Sequence, residues 1–255
     1  MPITKLLTFG GGNKHYHQAV DRVIIQSKLF NEIDEAIGYT NHTLPINYVD
    51  QYYEIESRFP KGCGLWSWKP FLVDHELDKL ELGDILIYVD AGCELNINGK
   101  ERFSEYLSHT AKYETLLFEL PNQNRFWTKN NSLLTGNIDH YYRNQISASC
   151  FFIKKSVLTV KIVKDWLALT RFDDFELLKD PLGSEKQIKG YLGHLHDQSC
   201  LSTIIYKNNL IVIKDETYYE NWTDGDKYPI LAMRNRTGKS KLPKNSYFKI
   251  IKYFK

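Results

Sequence analysis

Two acidic residues occupy positions in this sequence where a carboxylate could take part in chemistry. The first, Asp90, directly follows residues 85–89, an unbroken apolar run that predicts a strand buried on both faces. Open parallel sheets bind ligands beyond the carboxyl ends of such strands. Ala91 and Gly92 follow, and residues this small let a ligand approach the backbone closely. We therefore expect Asp90 to hold a divalent cation on a diphosphate or to bond a sugar hydroxyl, unless it only caps the next segment.

The second acidic residue, Asp197, stands at the predicted start of a helix over residues 199–208. Asp is a favoured N-cap residue, and capping alone would account for it. The neighbouring His194, His196 and Gln198 would also bring two imidazoles and an amide to the mouth of a cleft. The positive end of the helix dipole would keep Asp197 ionised there.

A glycine-rich turn near the start of the chain indicates a nucleotide-binding unit. Residues 5–9 predict a strand, residues 16–30 an amphipathic helix and residues 35–40 a second strand, with three consecutive glycines at residues 10–12. A dinucleotide fingerprint would need a further glycine where His15 stands. The pattern therefore disfavours a dinucleotide but leaves room for a nucleotide base against this loop.

A lysine, Lys69, lies beside two tryptophans at the start of a helix predicted over residues 71–82, where Pro70 suits the first position. Trp66 and Trp68 could line a cleft in which the Lys69 ammonium group faces a phosphate. The alternative is that both tryptophans pack in the core.

The remaining pattern alternates helices and strands, as in an α/β domain with a mostly parallel central sheet flanked by helices. Further helices are predicted over residues 102–113 and 157–170, and further strands over residues 115–120, 146–153 and 210–213. Residues 41–64 are predicted to be irregular, and residues 121–146 to form a polar loop suited to recognition.

Charge is distributed unevenly along the 255 residues. Eight of the 33 basic residues and none of the 31 acidic residues lie in residues 228–255, so a basic end follows an acidic body. This asymmetry favours an anionic partner such as a diphosphate or a lipid surface, and it argues against nucleic acid because the basic charge is confined to one end. Residues 241–255 mix lysines with aromatic residues and predict a tail that lies on an anionic membrane surface or packs on the body.

Cysteine usage and hydropathy set the expected compartment. The four cysteines show no CxxC pair and no metal-binding spacing, which predicts reduced, buried thiols. The sequence has neither a signal peptide nor an apolar run long enough to span a membrane. We expect a cytoplasmic protein, or one bound to the inner face of the membrane through its tail.

Taken together, these residues resemble the nucleotide-sugar-dependent glycosyltransferases of the GT-A fold, and are most similar to uncharacterised proteins of bacterial and viral polysaccharide gene clusters. Five segments carry the resemblance, in the family's order and over nearly the whole chain. They are residues 8–12 (the nucleotide loop), 64–70 (the helix beside the donor), 84–92 (the strand that delivers an Asp-x-Asp metal site), 146–153 (the strand under the donor sugar) and 196–202 (the Asp-Gln-x-x-Leu helix start of several retaining members).

The resemblance implies a GT-A-like domain over residues 1–240, with a Rossmann-like nucleotide-binding half, followed by the tail. Catalytic roles are predicted for Asp197 and Gln198, and acceptor-binding roles for Trp127, Tyr142 and Gln145. Donor-binding roles are predicted for Thr8, Phe9, Gly10, Lys69, Asp90, Ala91, Gly92, Ser147, His196, Arg234, Arg236 and Lys239.

One departure from the family pattern concerns the metal, since Gly92 stands where the second carboxylate of Asp-x-Asp is expected. Glu94 or water would have to complete the shell of Mn²⁺ or Mg²⁺ at Asp90, and no histidine follows His196 to serve as a late ligand. Arg234 and Arg236 could instead bind a diphosphate bidentately and partly replace the cation, unless they belong to a solvated linker.

The implied function is transfer of a hexose from a nucleoside-diphosphate sugar, with UDP as the expected nucleotide, to a hydroxyl of a glycan or lipid-linked acceptor in surface polysaccharide synthesis. Asp197 would be the base of an inverting enzyme; in a retaining one, which the Asp-Gln order favours, Asp197 and Gln198 would stabilise the donor face. The alternatives are a non-catalytic sugar-binding module and a nucleotidyltransferase. The latter usually has a basic glycine loop, whereas only Lys14 follows the glycines here.

Overall fold

A six-stranded sheet with helices on both faces forms the centre of the molecule. The computed structural model describes residues 2–130 and 138–242. The strands are β1 (Thr4–Gly10), β2 (Glu35–Thr40), β3 (Ile85–Val89), β4 (Glu94–Leu95), β5 (Thr115–Gln123), β6 (Asn144–Lys154), β7 (Ile213–Lys214) and β8 (Ile230–Leu231). The central sheet has the order β2-β1-β3-β6-β5-β7, and β4 pairs with β8 in a separate small sheet.

Strand direction confirms the predicted mostly parallel sheet. The pairs β1–β2, β1–β3 and β5–β7 are parallel, whereas β6 runs antiparallel to both of its neighbours, β3 and β5. Because β6 alone is reversed, its first residues lie at the edge where the other strands end.

Helices cover the two faces of the sheet. The described helices of ten or more residues are α1 (Lys14–Ser27), α2 (Val49–Arg58), α3 (Trp68–Asp78), α4 (Lys100–Tyr113), α5 (Val157–Phe175) and α6 (His196–Lys207). In α5 the backbone leaves helical geometry at Phe172. Single turns at Gly62–Leu65 and Asn124–Trp127 precede α3 and follow β5.

The alternation of side chains along β3 divides the interior into two cores. Leu86 and Tyr88 pack in the core that also contains Trp166 of α5 and Ile204 of α6. Ile87 lies on the other face, with Phe103 of α4. Asp90 continues the Leu86–Tyr88 series, so its side chain emerges on the face covered by α3, α5 and α6.

The predicted irregular stretch 41–64 is wrong in part, because α2 lies within it. Tyr48, Tyr52 and Ile55 are buried at a spacing of four and three residues. One apolar face is therefore enough to hold this helix on the core, although the rest of it is polar.

The boundaries of three other elements also differ from the predictions. α3 begins at Trp68, three residues earlier than predicted, and Pro70 lies within its first turn. The strand predicted over residues 210–213 is limited to β7, Ile213–Lys214, which pairs with Phe118 and Glu119. α6 begins at His196, so Leu195 and not Asp197 is the N-cap residue.

Four free cysteines are present. Cys93, Cys150 and Cys200 are buried as predicted, whereas Cys63 is partly exposed. None of the helices in the described ranges is both long and apolar enough to cross a membrane. Residues 243–255, most of the predicted tail, lie outside the described residues.

A buried ion pair ties the last described segment to the sheet. Arg22 of α1 and Glu94 of β4 approach to 3.7 Å, and both side chains are almost fully buried. The Arg22 guanidinium donates to the carbonyl oxygens of Ala91, Cys93, Asn235 and Thr237. The turn after β3 and residues 235–241 are thus held against the same helix.

Candidate active site

The candidate site lies at the edge where β1, β3, β5 and β7 end and β6 begins. The backbone N–H of Asp90 donates to the carbonyl oxygen of Ser149 at 2.8 Å, which fixes the end of β3 beside the start of β6. This edge is where an open parallel sheet offers a ligand crevice.

Two cavities open at this edge and share a wall. The first has a volume of about 550 Å³, and Asp90, Gly92, Ser149 and Arg234 border both. The first cavity is further lined by residues after β1 and before α3: Phe9, Gly10, Gly11, Gly12, Asn13, Tyr16, Pro60, Gly62, Cys63, Trp66 and Trp68, together with Ala91 and Arg236. Its walls are thus glycine backbone, aromatic rings and guanidinium groups.

The second cavity has a volume of about 480 Å³ and a different lining. Besides the shared residues it is lined by Cys93, Leu120, Pro121, Asn122, Trp127, Ser147, Leu195, Gln198, Asp215, Thr217, Tyr218 and Ala232. Aromatic rings beside amide, hydroxyl and carboxylate groups are a combination that suits a carbohydrate. Both volumes fall in the usual range for small-molecule sites.

Beneath the shared wall, the ammonium group of Lys69 joins two carboxylates. Its Nζ lies 3.3 Å from Asp90 Oδ1 and 3.0 Å from Asp197 Oδ2, and it donates to the carbonyl oxygen of Ala148 at 3.0 Å. The rings of Trp68 and Tyr88 lie 5.6 Å and 5.2 Å from the same nitrogen. Lys69 is 3% exposed and lines neither cavity, so the predicted direct contact with phosphate does not fit its position.

The two carboxylates differ in their access to the cavities. The Asp90 side chain is 33% exposed and borders both, while Tyr88 donates to its Oδ1 at 2.6 Å. The Asp197 side chain is 7% exposed and borders neither. The predicted catalytic contact of Asp197 with substrate is therefore not supported, because its Oδ2 lies buried against Lys69. Its neighbour Gln198 does line the second cavity.

The electrostatics of this cluster follow from burial and from the shared cation. Burial is the main cause that raises the pKa of Asp197, Lys69 opposes it and the nearby Asp90 adds to it, and the net result is a pKa of about 6. For Lys69, burial alone would lower the pKa, but the two carboxylates outweigh it and raise the pKa above its ordinary value. Lys69 therefore stays charged, and Asp197 titrates close to neutral pH.

Gly10 is required by packing as much as by any ligand. A Cβ placed on it would lie 2.5 Å from the carbonyl oxygen of Tyr16, a distance that real side chains do not tolerate. Glycine here lets the first turn of α1 approach the end of β1, and that approach forms one side of the first cavity.

The arginine segment, residues 234–241, contributes two of its three predicted donor-binding residues to the cavity walls. Arg234 borders both cavities and Arg236 borders the first, where its guanidinium lies 5.7 Å from the centre of the Tyr16 ring. Lys239 borders neither, although it was predicted to bind the donor. Instead its backbone oxygen accepts from the side chain of Asn235 at 2.7 Å.

Several other predicted site residues are structural. Thr8 is fully buried. His196 donates from Nδ1 to the carbonyl oxygen of Leu178 at 2.7 Å and stacks on Trp66, and burial lowers its pKa. It neither orients the Asp197 carboxylate nor reaches a cavity.

Of the three residues predicted to bind the acceptor, only Trp127 lines a cavity. Gln145 is fully buried and donates to Thr128 Oγ1 at 2.7 Å. Tyr142 is 63% exposed and borders neither cavity. Residues 131–137 of the predicted polar loop lie outside the described residues.

Some lining residues were missed from the sequence. Asp215 follows β7 as Asp90 follows β3, so the same reasoning about an acid after a strand would have found it. Ser149 lies two residues after the predicted Ser147 and therefore on the same face of β6. Tyr16 and Tyr218 gave no comparable signal, because single tyrosines are usually core residues.

The residues around Asp90 do not fit a divalent cation. Glu94, the proposed second ligand, is fully buried and accepts hydrogen bonds from Gln26, Asn235, Ser240 and the Lys241 amide. No group of three or more His, Cys, Asp or Glu side chains that could hold a metal occurs in the part of the chain that the structure describes. Among the described residues, the cation within ion-pair distance of Asp90 is the ammonium group of Lys69.

Comparisons with known proteins give similarities of structure only. No protein-family model matches the sequence, and no curated protein matches it. A glycosyltransferase involved in glycosylation of the major capsid of PBCV-1 is 11% identical, with 98% of this chain and 100% of that chain covered and a TM-score of 0.49. Mouse xyloside xylosyltransferase 1 in its apo form is 12% identical, with 93% and 100% covered and a TM-score of 0.48.

A third similar structure is the apo form of the glycosyltransferase GlyE of Streptococcus pneumoniae TIGR4. It is 12% identical, with 100% of this chain and 63% of that chain covered and a TM-score of 0.45. Similarities at this level leave the function to be argued from the geometry of this chain's own site.

The raised pKa of Asp197 makes stability depend on pH. Because the folded state holds this proton more tightly than the unfolded chain, the carboxyl costs stability as pH rises from about 4 to about 6. Asp197→Asn removes that cost. We expect the free energy of unfolding of the variant, relative to wild type, to increase by about 3 kcal/mol between pH 4 and pH 7. Urea denaturation at both pH values measures the difference.

Asp180→Asn is the matched control. Burial raises the pKa of Asp180, but Lys61 outweighs it and lowers the pKa, so this carboxylate stabilises the fold once ionised. The relative stability of the control should fall as pH rises. An Asp197→Asn variant that follows the control would contradict the assignment.

Proposed function

We propose that this protein transfers a hexose from a nucleoside-diphosphate sugar, with UDP as the expected nucleotide, to a hydroxyl of a glycan or lipid-linked acceptor in surface polysaccharide synthesis. The observation that carries the proposal is the position of Asp90, whose exposed carboxylate stands between two cavities of unlike chemistry. A reaction between two bound substrates needs such a shared wall.

The first cavity suits the nucleoside diphosphate. Its glycine backbone and the rings of Tyr16 and Trp66 offer flat surfaces to a base, and Arg234 and Arg236 supply guanidinium groups. Guanidinium forks match the geometry of phosphate oxygens and bind them bidentately. Placed with its base at the glycines, a donor would direct its sugar toward Asp90.

The second cavity suits a carbohydrate acceptor. Trp127 and Tyr218 provide rings for a sugar to stack on, and Asp215 and Gln198 provide acceptors and donors for its hydroxyls. Asp215 is held in place because its Oδ1 accepts hydrogen bonds from both the amide and the hydroxyl of Thr217. Two carboxylates, Asp90 and Asp215, border this cavity, which favours an uncharged acceptor.

The proposed step breaks the bond between the anomeric carbon and the diphosphate oxygen and forms a bond to the acceptor oxygen, whose proton passes to the departing diphosphate oxygen. The leaving diphosphate gains negative charge, and preorganised guanidinium groups stabilise it. Asp90 faces the carbon on which positive charge develops. Asp197 acts as a positioning residue, since it reaches the site only through Lys69.

We infer that the anomeric configuration is retained. Tyr88 and Lys69 already engage Asp90 Oδ1, which weakens this carboxylate as the base that inversion would require. Stabilisation of the donor face by Asp90 needs no such base.

Nucleotide release from a panel of UDP-, GDP-, CDP- and dTDP-hexoses tests the function. We expect nucleoside diphosphate from one base class, more of it when methyl glycosides are added, and a product whose anomeric NMR signal matches the donor. Asp90→Asn should lower kcat at least about 100-fold, whereas Asp21→Asn on the exposed face of α1 should not. Release of pyrophosphate from the matching nucleoside triphosphates and hexose 1-phosphates would identify a nucleotidyltransferase instead. No release from either set of substrates would leave a binding module.

The second cavity makes a separate prediction about the acceptor. Removing a stacking ring should cost about 1.5 kcal/mol, so Trp127→Ala should raise the KM for a methyl glycoside acceptor about tenfold and leave the donor KM unchanged. Tyr142→Ala, an exposed aromatic outside the cavity, is the control. Equal effects of the two variants in steady-state kinetics would argue against acceptor binding in this cavity.

We also propose that residues 241–255 bind an anionic membrane surface, because they combine lysines with aromatic residues and contain no acid. Deleting residues 244–255 removes four lysines. Binding to phosphatidylserine vesicles in a sedimentation assay should fall at least about tenfold, while binding to phosphatidylcholine vesicles stays low. Unchanged sedimentation would exclude this role of the tail.

A further inference from the structure

The charge around Asp90 is balanced by the protein itself. Two carboxylates, Asp90 and Asp197, lie within 3.3 Å of one ammonium nitrogen, so the cluster carries a single net negative charge beneath the cavity wall. A divalent cation on Asp90 would have to displace that ammonium group or bind beside it.

Displacement is disfavoured by the surroundings of Lys69. The ammonium group is buried, donates to the carbonyl oxygen of Ala148 and lies near the faces of Trp68 and Tyr88. Because Lys69 is only 3% exposed, hydration would not compensate for losing both carboxylates. The cation is therefore a fixed part of the fold.

Binding beside Lys69 is disfavoured because the second ligand position offers no carboxylate. Gly92 stands there, and its carbonyl oxygen already accepts from the Asn235 amide at 2.8 Å. A Cβ on Gly92 would make an ordinary contact, 3.6 Å from the Cα of Arg234, so the neighbour of this position is a cationic segment. The second carboxylate of a metal site is thus missing here. Residues 1, 131–137 and 243–255, which the structure does not describe, contain no Asp, Glu, His or Cys that could replace it.

The same segment brings positive charge into the first cavity. The side chains of Arg234 and Arg236 are exposed and line the cavity wall. Within residues 2–130 and 138–242, no carboxylate lies within ion-pair distance of either guanidinium. Their charge remains available for an anion.

We infer that this protein binds the diphosphate of its donor without a divalent cation, with Arg234 and Arg236 on the phosphates and Lys69 as the permanent counter-ion of Asp90 and Asp197. The inference rests on the proposed function, since it concerns the donor of that reaction. It differs from the metal site that the Asp-x-Asp resemblance implies.

Calorimetric titration of wild-type protein with the nucleoside diphosphates of the four donors tests the inference. We expect one of them to bind with the same dissociation constant, within about twofold, in EDTA and in Mn²⁺. Binding that appears or tightens about tenfold or more with Mn²⁺ overturns the inference and leaves the proposed function standing. Failure of every nucleotide to bind in both conditions overturns both.

Variants of the arginine segment distinguish direct contact with phosphate from the general attraction of nearby positive charge. Arg234→Gln and Arg236→Gln should each weaken nucleotide binding in EDTA by about tenfold or more, because each loses a charge-assisted contact with phosphate. Lys241→Gln removes the same charge from the same segment, but outside the cavity lining, and should leave the affinity unchanged. Equal weakening by all three variants would contradict a specific role of the arginines.

Lys69→Met provides a test that needs no nucleotide. Without the ammonium group, Asp90 and Asp197 become an unbalanced carboxylate pair, so this variant should gain Mn²⁺ binding, seen as loss of the free-ion signal in electron paramagnetic resonance. Adding Asp197→Asn to it should abolish the gain. Wild-type protein should leave the Mn²⁺ signal unchanged, and this wild-type measurement tests the inference even if Lys69→Met does not fold. The inference is overturned if wild type binds Mn²⁺ stoichiometrically and Asp90→Asn removes that binding.

Discussion

The ammonium group of Lys69 is the constraint on which the candidate site depends. It draws together the end of β3, the start of α3 and the first turn of α6, three elements that are far apart in the chain. An isolated charge buried as deeply as Lys69 or Asp197 would be too costly to keep, so each of these two ions is tolerated only because the other is present. The position of Asp90 at the cavity wall is consequently fixed by charge as well as by strand geometry.

This arrangement gives different surroundings to two carboxylates that look alike in sequence. Asp90 follows a strand and is partly exposed, whereas Asp197 is buried against Lys69, and its backbone oxygen accepts from the indole N–H of Trp166. Arg234 stands at the junction of the two cavities, opposite in charge to Asp90. A donor and an acceptor meeting there would experience a cation and an anion side by side, in a partly dehydrated setting that strengthens both.

The sequence predicts the sheet and Asp90 well because both depend on local pattern: an unbroken apolar run must be a buried strand, and the residue after it must reach the edge. The depth of Asp197 and the direction of Lys69 could not be predicted in this way. Both depend on which helices cover the sheet, and therefore on contacts between distant residues. α2 was missed because its three buried residues lie in a mostly polar segment, and the overall composition of that segment is typical of an irregular stretch. Glu94 was offered as a ligand because sequence proximity to Asp90 does not reveal that it turns toward Arg22.

The hydrogen bond from the Arg22 guanidinium to the carbonyl oxygen of Asn235 joins residues 213 positions apart. Closing so long a loop is entropically unfavourable until the intervening sheet has formed. We therefore expect the wall that carries Arg234 to form after β1, β3 and β6 have paired, and only once residue 235 has been synthesised. In a nascent or truncated chain ending before residue 234, the same edge of the sheet would be open and would carry the carboxylates of Asp90 and Asp215 without the guanidinium groups that oppose them.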